Sequence, residues 1–267
     1  MILNRLGNKS RIAKDIICHF PKHRIYIEPF FGAGGIFFSK RKAECNILND
    51  LDSDVFNLFN VIIGGKDEFK KAFYLMPIHS DLLNYWKSNK EIDPIKKALR
   101  FVLLSNVSFL GVGKGIKYGS GENHKKDIYL YLEDVYSMIN DVQFMNTDFR
   151  NVIDSISWKK DRNDKEKTFM YADPPYLGTN DNYSQSFTEN DTIDLFDVCV
   201  KSGVPFAISE FDHPSVLELA KHHNLEVITI GERQNLKNRR TEILVVNYES
   251  PALYSLFRNE AQSLLLV

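Results

Sequence analysis

The chain has 267 residues, 43% of them hydrophobic and 26% charged, and a net charge of −1. This suits one large α/β domain with an insertion, or two modest domains, and near-neutrality does not by itself announce a nucleic-acid partner. No apolar run reaches the roughly 20 residues needed to span a bilayer, and polar Asn4, Asn8, Lys9, Ser10 and Arg11 interrupt any N-terminal signal pattern. A soluble, cytoplasmic protein with no membrane partner is expected.

Taken in chain order, strands are expected at 25–27, 45–48, 143–145, 168–171, 205–208, 226–230 and 242–247, each a short apolar run ended by polar or glycine-rich residues. Cys18, Cys45 and Cys199 stand apart without CxxC spacing, which argues against a disulfide framework or a thiolate zinc site and for small core residues. Val55, Leu58, Phe59 and Ile62 recur at helical spacing, and Gly64 and Gly65 are expected to stop that helix. Helical patterns then displace the strand–helix alternation over 67–133. They include a hairpin or loop, 111–121, whose five glycines cannot form a helix interior. Lys96, Lys97, Arg100, Lys114, Lys117, Lys125 and Lys126 are opposed only by Glu122 across 95–126. A second basic cluster joins Arg233, Lys237, Arg239 and Arg240 against Glu232.

The charged stretch 159–167 reads as an exposed loop before a strand. Thr188 and Asp191 form a capping box ahead of Ile193, Phe196 and Val200, and Gly203 ends that helix. Pro214 opens a helix reaching about His223. Residues 251–267 fit a helix with no assigned role. Together these elements predict a mostly parallel, doubly wound α/β sheet. Residues 1–66 and 134–267 form its main domain, and 67–133 form an inserted, mostly helical subdomain with a basic tip.

Two constellations carry chemistry. In the first, Ile25-Tyr26-Ile27 runs into Glu28-Pro29-Phe30-Phe31-Gly32-Ala33-Gly34, and Asp50 follows at the end of the next strand. Glycines let the backbone approach a ligand, and an acid about 20 residues on can accept both hydroxyls of a ribose. A tight structural turn fits the glycines equally well. Phe37 fills the third glycine position of the dinucleotide fingerprint, and no Gly-Lys-Ser/Thr follows, so neither that fingerprint nor a P-loop is present.

In the second, the apolar run Phe169-Met170-Tyr171-Ala172 ends in Asp173-Pro174-Pro175-Tyr176. Two prolines fix φ and remove two donors, so the turn presents carbonyls and a carboxylate at the strand's C-terminal edge. Such a surface suits an amine nucleophile. Asp173 and the Pro174 carbonyl can each accept one N–H of adenine N6, and Tyr176 can stack on the base.

The chain resembles the Dam-type (D12 class, α-group) DNA adenine-N6 methyltransferases. The best-matched pieces are 28–34, Leu48-Asn49-Asp50 and 172–176. The resemblance implies a Rossmann-like class I AdoMet-dependent methyltransferase sheet, with 67–133 as the inserted target-recognition domain. It implies S-adenosylmethionine held by Gly7, Lys9, Glu28, Pro29, Phe30, Gly32, Gly34, Asp50, Asp148, Phe149 and Asp173, with no metal. Within this set, Thr147-Asp148-Phe149 resembles the element that holds the cofactor's adenine, and Lys9 falls near its carboxylate. Arg5 and Asn8 depart from the family's W/Y-x-G-G-K motif.

The same resemblance places catalysis on Asp173, Pro174 and Tyr176. It assigns Pro175, Tyr176 and Phe187 to the flipped target base, and Lys114, Lys117, Arg239 and Arg240 to DNA phosphates. Residues 177–186 become a lid. Implied partners are double-stranded DNA and, in one setting, a cognate restriction endonuclease; a monomer is expected. Two alternatives stay open: an N4-cytosine methyltransferase, whose class more often carries serine before Pro-Pro, and a non-catalytic DNA-binding module on the same fold. Ser209-Glu210-Phe211-Asp212 ends the following strand and receives no role.

Overall fold

A computed structural model describes residues 2–3, 7–109, 114–116, 121–158, 164–177, 187–234 and 239–252. Its strands are β1 (Ile25–Glu28), β2 (Cys45–Asn49), β3 (Ser108–Phe109), β4 (Lys114–Ile116), β5 (Gln143–Met145), β6 (Thr168–Ala172), β7 (Phe206–Phe211), β8 (Glu226–Gln234) and β9 (Arg239–Val246). Seven of them form one sheet in the order β5-β2-β1-β6-β7-β9-β8, which contains every strand expected from the sequence. β5, β2, β1, β6 and β7 pair in parallel, and β9 runs against both of its neighbours. This is the Rossmann-like α/β architecture. β3 and β4 make a separate antiparallel pair.

β1, β6 and β7 are buried along their whole length. Apolar layers cover both faces of the sheet, so these strands read as continuous hydrophobic runs rather than alternating ones. Alternate residues nevertheless enter different cores. Phe169 and Tyr171 join an apolar cluster with Phe31, Leu48 and Phe59, whereas Met170 and Ala172 join one with Ile27, Phe196 and Ile208. The first cluster is built with helices α2 (Ser53–Leu75), α3 (Ser80–Ser88), α4 (Pro94–Val107) and α5 (Gly121–Ile139). Phe69, Phe73, Leu83, Trp86, Leu99 and Leu132 are buried in it, continuous with the sheet's own face. The second contains residues of α6 (Phe149–Val152), α7 (Glu189–Ser202) and α8 (Pro214–His222). A short α1 (Ala13–Ile17) precedes the sheet.

Local signals explain most boundaries. Thr188 and Asp191 make the expected reciprocal capping box, and Gly203 closes α7 at φ 68° in the left-handed region. Gly64 and Gly65 do not end their helix. α2 kinks at Gly65, whose φ/ψ are non-helical, and continues to Leu75 because Phe69 and Phe73 keep the apolar period.

Other expectations need correction. Arg239 and Arg240 lie within β9, since β8 and β9 extend as a long arm pairing Arg233 with Arg240 and Gln234 with Arg239. The end of the stretch expected to be an exposed loop is anchored, because Asp164 is buried and paired with Arg24. Cys199 is buried, but Cys45 is half-buried and Cys18 exposed. No described helix is long and apolar enough to cross a membrane.

Candidate active site

The chain leaves β1 toward β2 and β5 but leaves β6 toward β7, so the sheet's direction of winding reverses between β1 and β6. Their C-terminal ends therefore open a crevice, the place where open α/β sheets receive ligands. A cavity of about 300 Å³ occupies it.

The turn after β1 forms one wall. Gly32, at φ 53°, donates its N–H to Asp50 Oδ2 at 2.6 Å, and Asp50 Oδ1 accepts the Asp52 N–H at 2.8 Å. A side chain at Gly32 would meet nothing within 4 Å, so the backbone conformation rather than space requires glycine there. Gly34 differs, because a Cβ would fall 2.5 Å from the Phe38 ring and 2.7 Å from that of Phe31. It lies against the Phe31 and Phe38 rings and does not line the cavity. Buried Asn49 ties three loop ends together. Its amide donates to the Pro29 and Thr147 carbonyls at 2.9 and 3.0 Å, and its oxygen accepts the Thr147 N–H at 3.0 Å.

Asp148 caps α6 by accepting the Arg150 N–H at 2.9 Å. The Arg150 guanidinium bonds Asp191 at 2.5 Å and Asp194 at 2.7 Å, joining α6 to the start of α7, and lies 4.4 Å from the centre of the Phe149 ring. Phe30, Phe149 and Phe187 form an aromatic box with centroids 5.3–6.0 Å apart. Phe187 thus stands beside Asp148 and Phe149, on the side expected for the cofactor's adenine rather than the target base.

Asp173 stands at the other end of the cavity. Its carboxylate accepts from the Lys9 ammonium at 2.6 Å, with Glu242 3.6 Å from the same nitrogen. Lys9 is only 3% exposed, against 19% for Asp173. Lys9 therefore turns to Asp173, not outward to a cofactor carboxylate. Tyr176 is also placed otherwise than expected. Its ring is 4% exposed and outside the cavity lining, with the Lys9 ammonium 4.4 Å from its centre and Phe211 edge-on at 4.7 Å. Its hydroxyl donates to Glu242. The Leu177 N–H donates to Glu210 at 2.8 Å, and Arg240 donates to the Leu177 carbonyl at 3.2 Å. Arg240 is thus directed inward onto the turn instead of outward to a phosphate.

Burial governs the titration of this region. It raises Glu28 to about 8, although the Tyr26 hydroxyl bonded to that carboxyl pulls the other way. It likewise raises Glu210 to about 8 against the two backbone N–H donors of Leu177 and Phe211. The Tyr176 hydroxyl is pushed well up by burial and by the neighbouring carboxylates Asp173 and Glu242.

Of the residues singled out in the sequence, Gly7, Lys9, Glu28, Pro29, Phe30, Gly32, Asp50, Asp148, Phe149, Asp173, Pro175 and Phe187 line the one cavity. Pro174 belongs to the turn beside them but not to the lining. Lys114 and Arg239 are strand residues of β4 and β9; Lys117, Lys237 and the expected lid residues 178–186 lie outside the described residues. Sequence reasoning placed Asn49 only within the Leu48-Asn49-Asp50 match, Asp191 only in a capping box, and gave Arg150, Glu210 and Glu242 no site role. A usable signal existed for the two glutamates: Glu210 is an acid inside an apolar strand run and Glu242 opens one, and a buried charge persists only with partners.

A nucleoside-sized cavity at the switch point of this sheet, ending in an Asp-Pro-Pro-Tyr turn, defines a Rossmann-like methyltransferase. The chain belongs to the D12 class N6 adenine-specific DNA methyltransferases, whose family model matches residues 6–236. It is 24% identical to the Type II methyltransferase M1.LlaDCHI of Lactococcus lactis subsp. cremoris, over 91% of this chain and 93% of that protein. It is 26% identical to the DNA adenine methylase of Salmonella typhi, over 83% and 85% of the two chains. The retron Ec67 DNA adenine methylase of Escherichia coli is 24% identical over 92% and 90%. The enzyme is an adenine-specific DNA methyltransferase, and nothing in these likenesses favours the N4-cytosine or non-catalytic alternatives.

Proposed function

We propose that the enzyme holds S-adenosylmethionine in the cavity and receives an adenine, flipped from duplex DNA, at Asp173–Tyr176. The observation that carries this reading is one cavity with Asp50 at the end of β2 and Asp173 at the end of β6. The donor set fits the cofactor. The Asp50 carboxylate, oriented by the Gly32 and Asp52 N–H groups, lines the cavity where it can accept from a ribose diol, and Phe30, Phe149 and Phe187 form an apolar box beside Asp148 for its adenine. In this reading Phe187 packs on the cofactor side.

When bound, the cofactor supplies an electrophilic sulfonium methyl group. Asp173 and the Pro174 carbonyl each accept one N6–H, which pyramidalises the nitrogen and directs its lone pair into the cavity. The carboxylate also stabilises positive charge developing on N6. Lys9 keeps Asp173 in one orientation, and fixed geometry of this kind can supply up to about 7–11 kcal/mol of a barrier. Extruding the base costs a few kcal/mol, offset by these contacts.

The helical layer 67–133 is assigned to reading the target, with Lys114, Lys117 and Arg239 on phosphates. The likeness to a Type II methyltransferase supports a restriction endonuclease as genetic companion.

Calorimetry with S-adenosylmethionine, followed by nucleoside analysis of methylated DNA, tests the reading. Binding that Asp50→Asn weakens, together with N6-methyladenine as product, is the expected result. Cofactor affinity indifferent to Asp50 would move the cofactor elsewhere. Lys114→Ala and Lys117→Ala should each make the salt dependence of DNA binding shallower, by about one unit of slope. An unchanged slope removes those lysines from the interface.

A further inference from the structure

The turn that receives the base is gripped from behind by the antiparallel pair β7–β9. Arg240 and Glu242 are two residues apart on β9 and so lie on one face of the strand. Phe211, the register partner of Glu242, packs edge-on against Tyr176. Glu242 takes the Tyr176 hydroxyl, Arg240 takes the Leu177 carbonyl, and Glu210 on β7 takes the Leu177 N–H. Tyr176 and the Leu177 that follows it are thus fixed at three polar points by groups remote in sequence. Glu210 and Glu242 are each 1% exposed, and neither belongs to the cavity lining.

The brace also reaches Asp173. Lys9 contacts both Asp173 and Glu242 while lying over the Tyr176 ring. Glu242 therefore holds Tyr176 directly and Asp173 through the shared ammonium. Burying a carboxylate is costly unless it is paired and hydrogen-bonded, and a purely structural strand could place an apolar residue here, as Leu244 is placed on the same face. Glu242 instead accepts from the Tyr176 hydroxyl and lies 3.6 Å from the Lys9 ammonium that bonds Asp173.

We propose that Glu242 and Arg240 are positioning residues for methyl transfer, acting on the target adenine only through Tyr176, Lys9–Asp173 and Leu177. Arg240 thereby leaves the set of phosphate contacts. This rests on reading Asp173–Tyr176 as the turn that receives the base.

The test measures the single-turnover methyl-transfer rate at saturating DNA and S-adenosylmethionine, with cofactor affinity by calorimetry alongside. Glu242→Ala should slow transfer about 100-fold, the scale of an ångström-sized misplacement, with cofactor affinity unchanged. Glu242→Gln keeps the shape and a neutral acceptor, so its loss should be nearer tenfold. In a Tyr176→Phe background that further loss should shrink, because the shared hydrogen bond is already absent. Arg240→Ala should slow transfer without altering the salt slope of DNA binding.

Wild-type rates for Glu242→Ala and Glu242→Gln overturn the proposal, as does a parallel loss of rate and cofactor affinity in Glu242→Gln. An Arg240→Ala enzyme with normal rate and a shallower salt slope returns that residue to the phosphates. Should Glu242→Ala not fold, the isosteric Gln variant and the Tyr176→Phe cycle decide alone. Asp173→Asn separates the two levels. If it stays active, the site reading fails; if it is inactive while Glu242 variants are normal, the brace alone fails.

Discussion

On the donor side of the cavity, the parts are held mostly by backbone. Gly32 N–H bonds Asp50, Asp52 N–H bonds the same carboxylate, and Arg150 N–H bonds Asp148, all between residues within eighteen positions of one another. On the acceptor side, Asp173 and Tyr176 are held by charged side chains 164 and 66 positions away, Lys9 and Glu242. The difference teaches that the Gly32–Asp50–Asp148 half of the cavity is a property of turns, whereas the Asp173–Tyr176 half depends on how the sheet is assembled. Local disruption should therefore weaken binding on one side and the chemical step on the other.

The largest expected effect is on the acceptor side. Asp173→Asn should lower kcat by about 10²–10³-fold, the range seen when one group stabilising a transition state is removed. Its cofactor affinity should be retained, and calorimetry showing an equal loss of both would dissolve the distinction between the halves. Next comes Asp50→Asn, which removes a charged acceptor and should raise the cofactor dissociation constant by about 10–100-fold. Its kcat at saturating cofactor should be close to normal; a collapse in kcat would make Asp50 part of the chemistry.

Stability against pH sharpens the comparison further, because each half holds one buried acid whose carboxyl is raised by burial. Glu28 and Glu210 are raised to about 8 in the folded state, so the folded chain holds protons that the unfolded chain has lost. Their contribution is complete below the ordinary carboxylate range and disappears as pH rises through 8. Burial lowers His19 and His23 from 6.5, giving the opposite trend, but that trend is finished once the unfolded imidazoles are neutral. Between pH 6.5 and 8 stability should accordingly fall, by about 1–2 kcal/mol per glutamate. A flat Tm over that interval, or the same slope in Glu210→Gln, would contradict the assignment.

The smallest effect concerns the α6–α7 junction. Arg150→Ala leaves Asp148, Asp191 and Asp194 without their shared cation, and this half-exposed network should be worth about 1 kcal/mol. A Tm drop of roughly 2–4 °C is expected for a chain of this size. It should be accompanied by weaker cofactor binding, since Asp148 loses its support.

All seven strands of the main sheet were legible because each is a short apolar run closed by a polar or glycine-rich turn. The capping box at Thr188 was legible because its chemistry lies within four residues. The continuation of α2 past Gly65 was not, because a glycine pair is a local stop signal that burial of Phe69 and Phe73 overrides. Within the site, Gly32, Asp50 and Asp173 could be read from turns and strand ends, and Asp148 only from the family resemblance. Gly34 could not be separated from Gly32, since only packing shows that one faces the cavity and the other faces Phe31 and Phe38.

The sequence by itself determined the Asp173–Tyr176 turn, the acid after β2 and the order of motifs. These depend on residue type and spacing along the chain. Only the tertiary structure decided that Lys9 faces Asp173, that Phe187 joins Phe30 and Phe149, and that Glu210, Arg240 and Glu242 stand behind the turn. Those contacts close loops of up to 164 residues between side chains whose types are unremarkable alone. A lysine or glutamate acquires its task here from the neighbour that sheet pairing brings to it, and pairing across β7, β9 and β6 is a property of the whole fold.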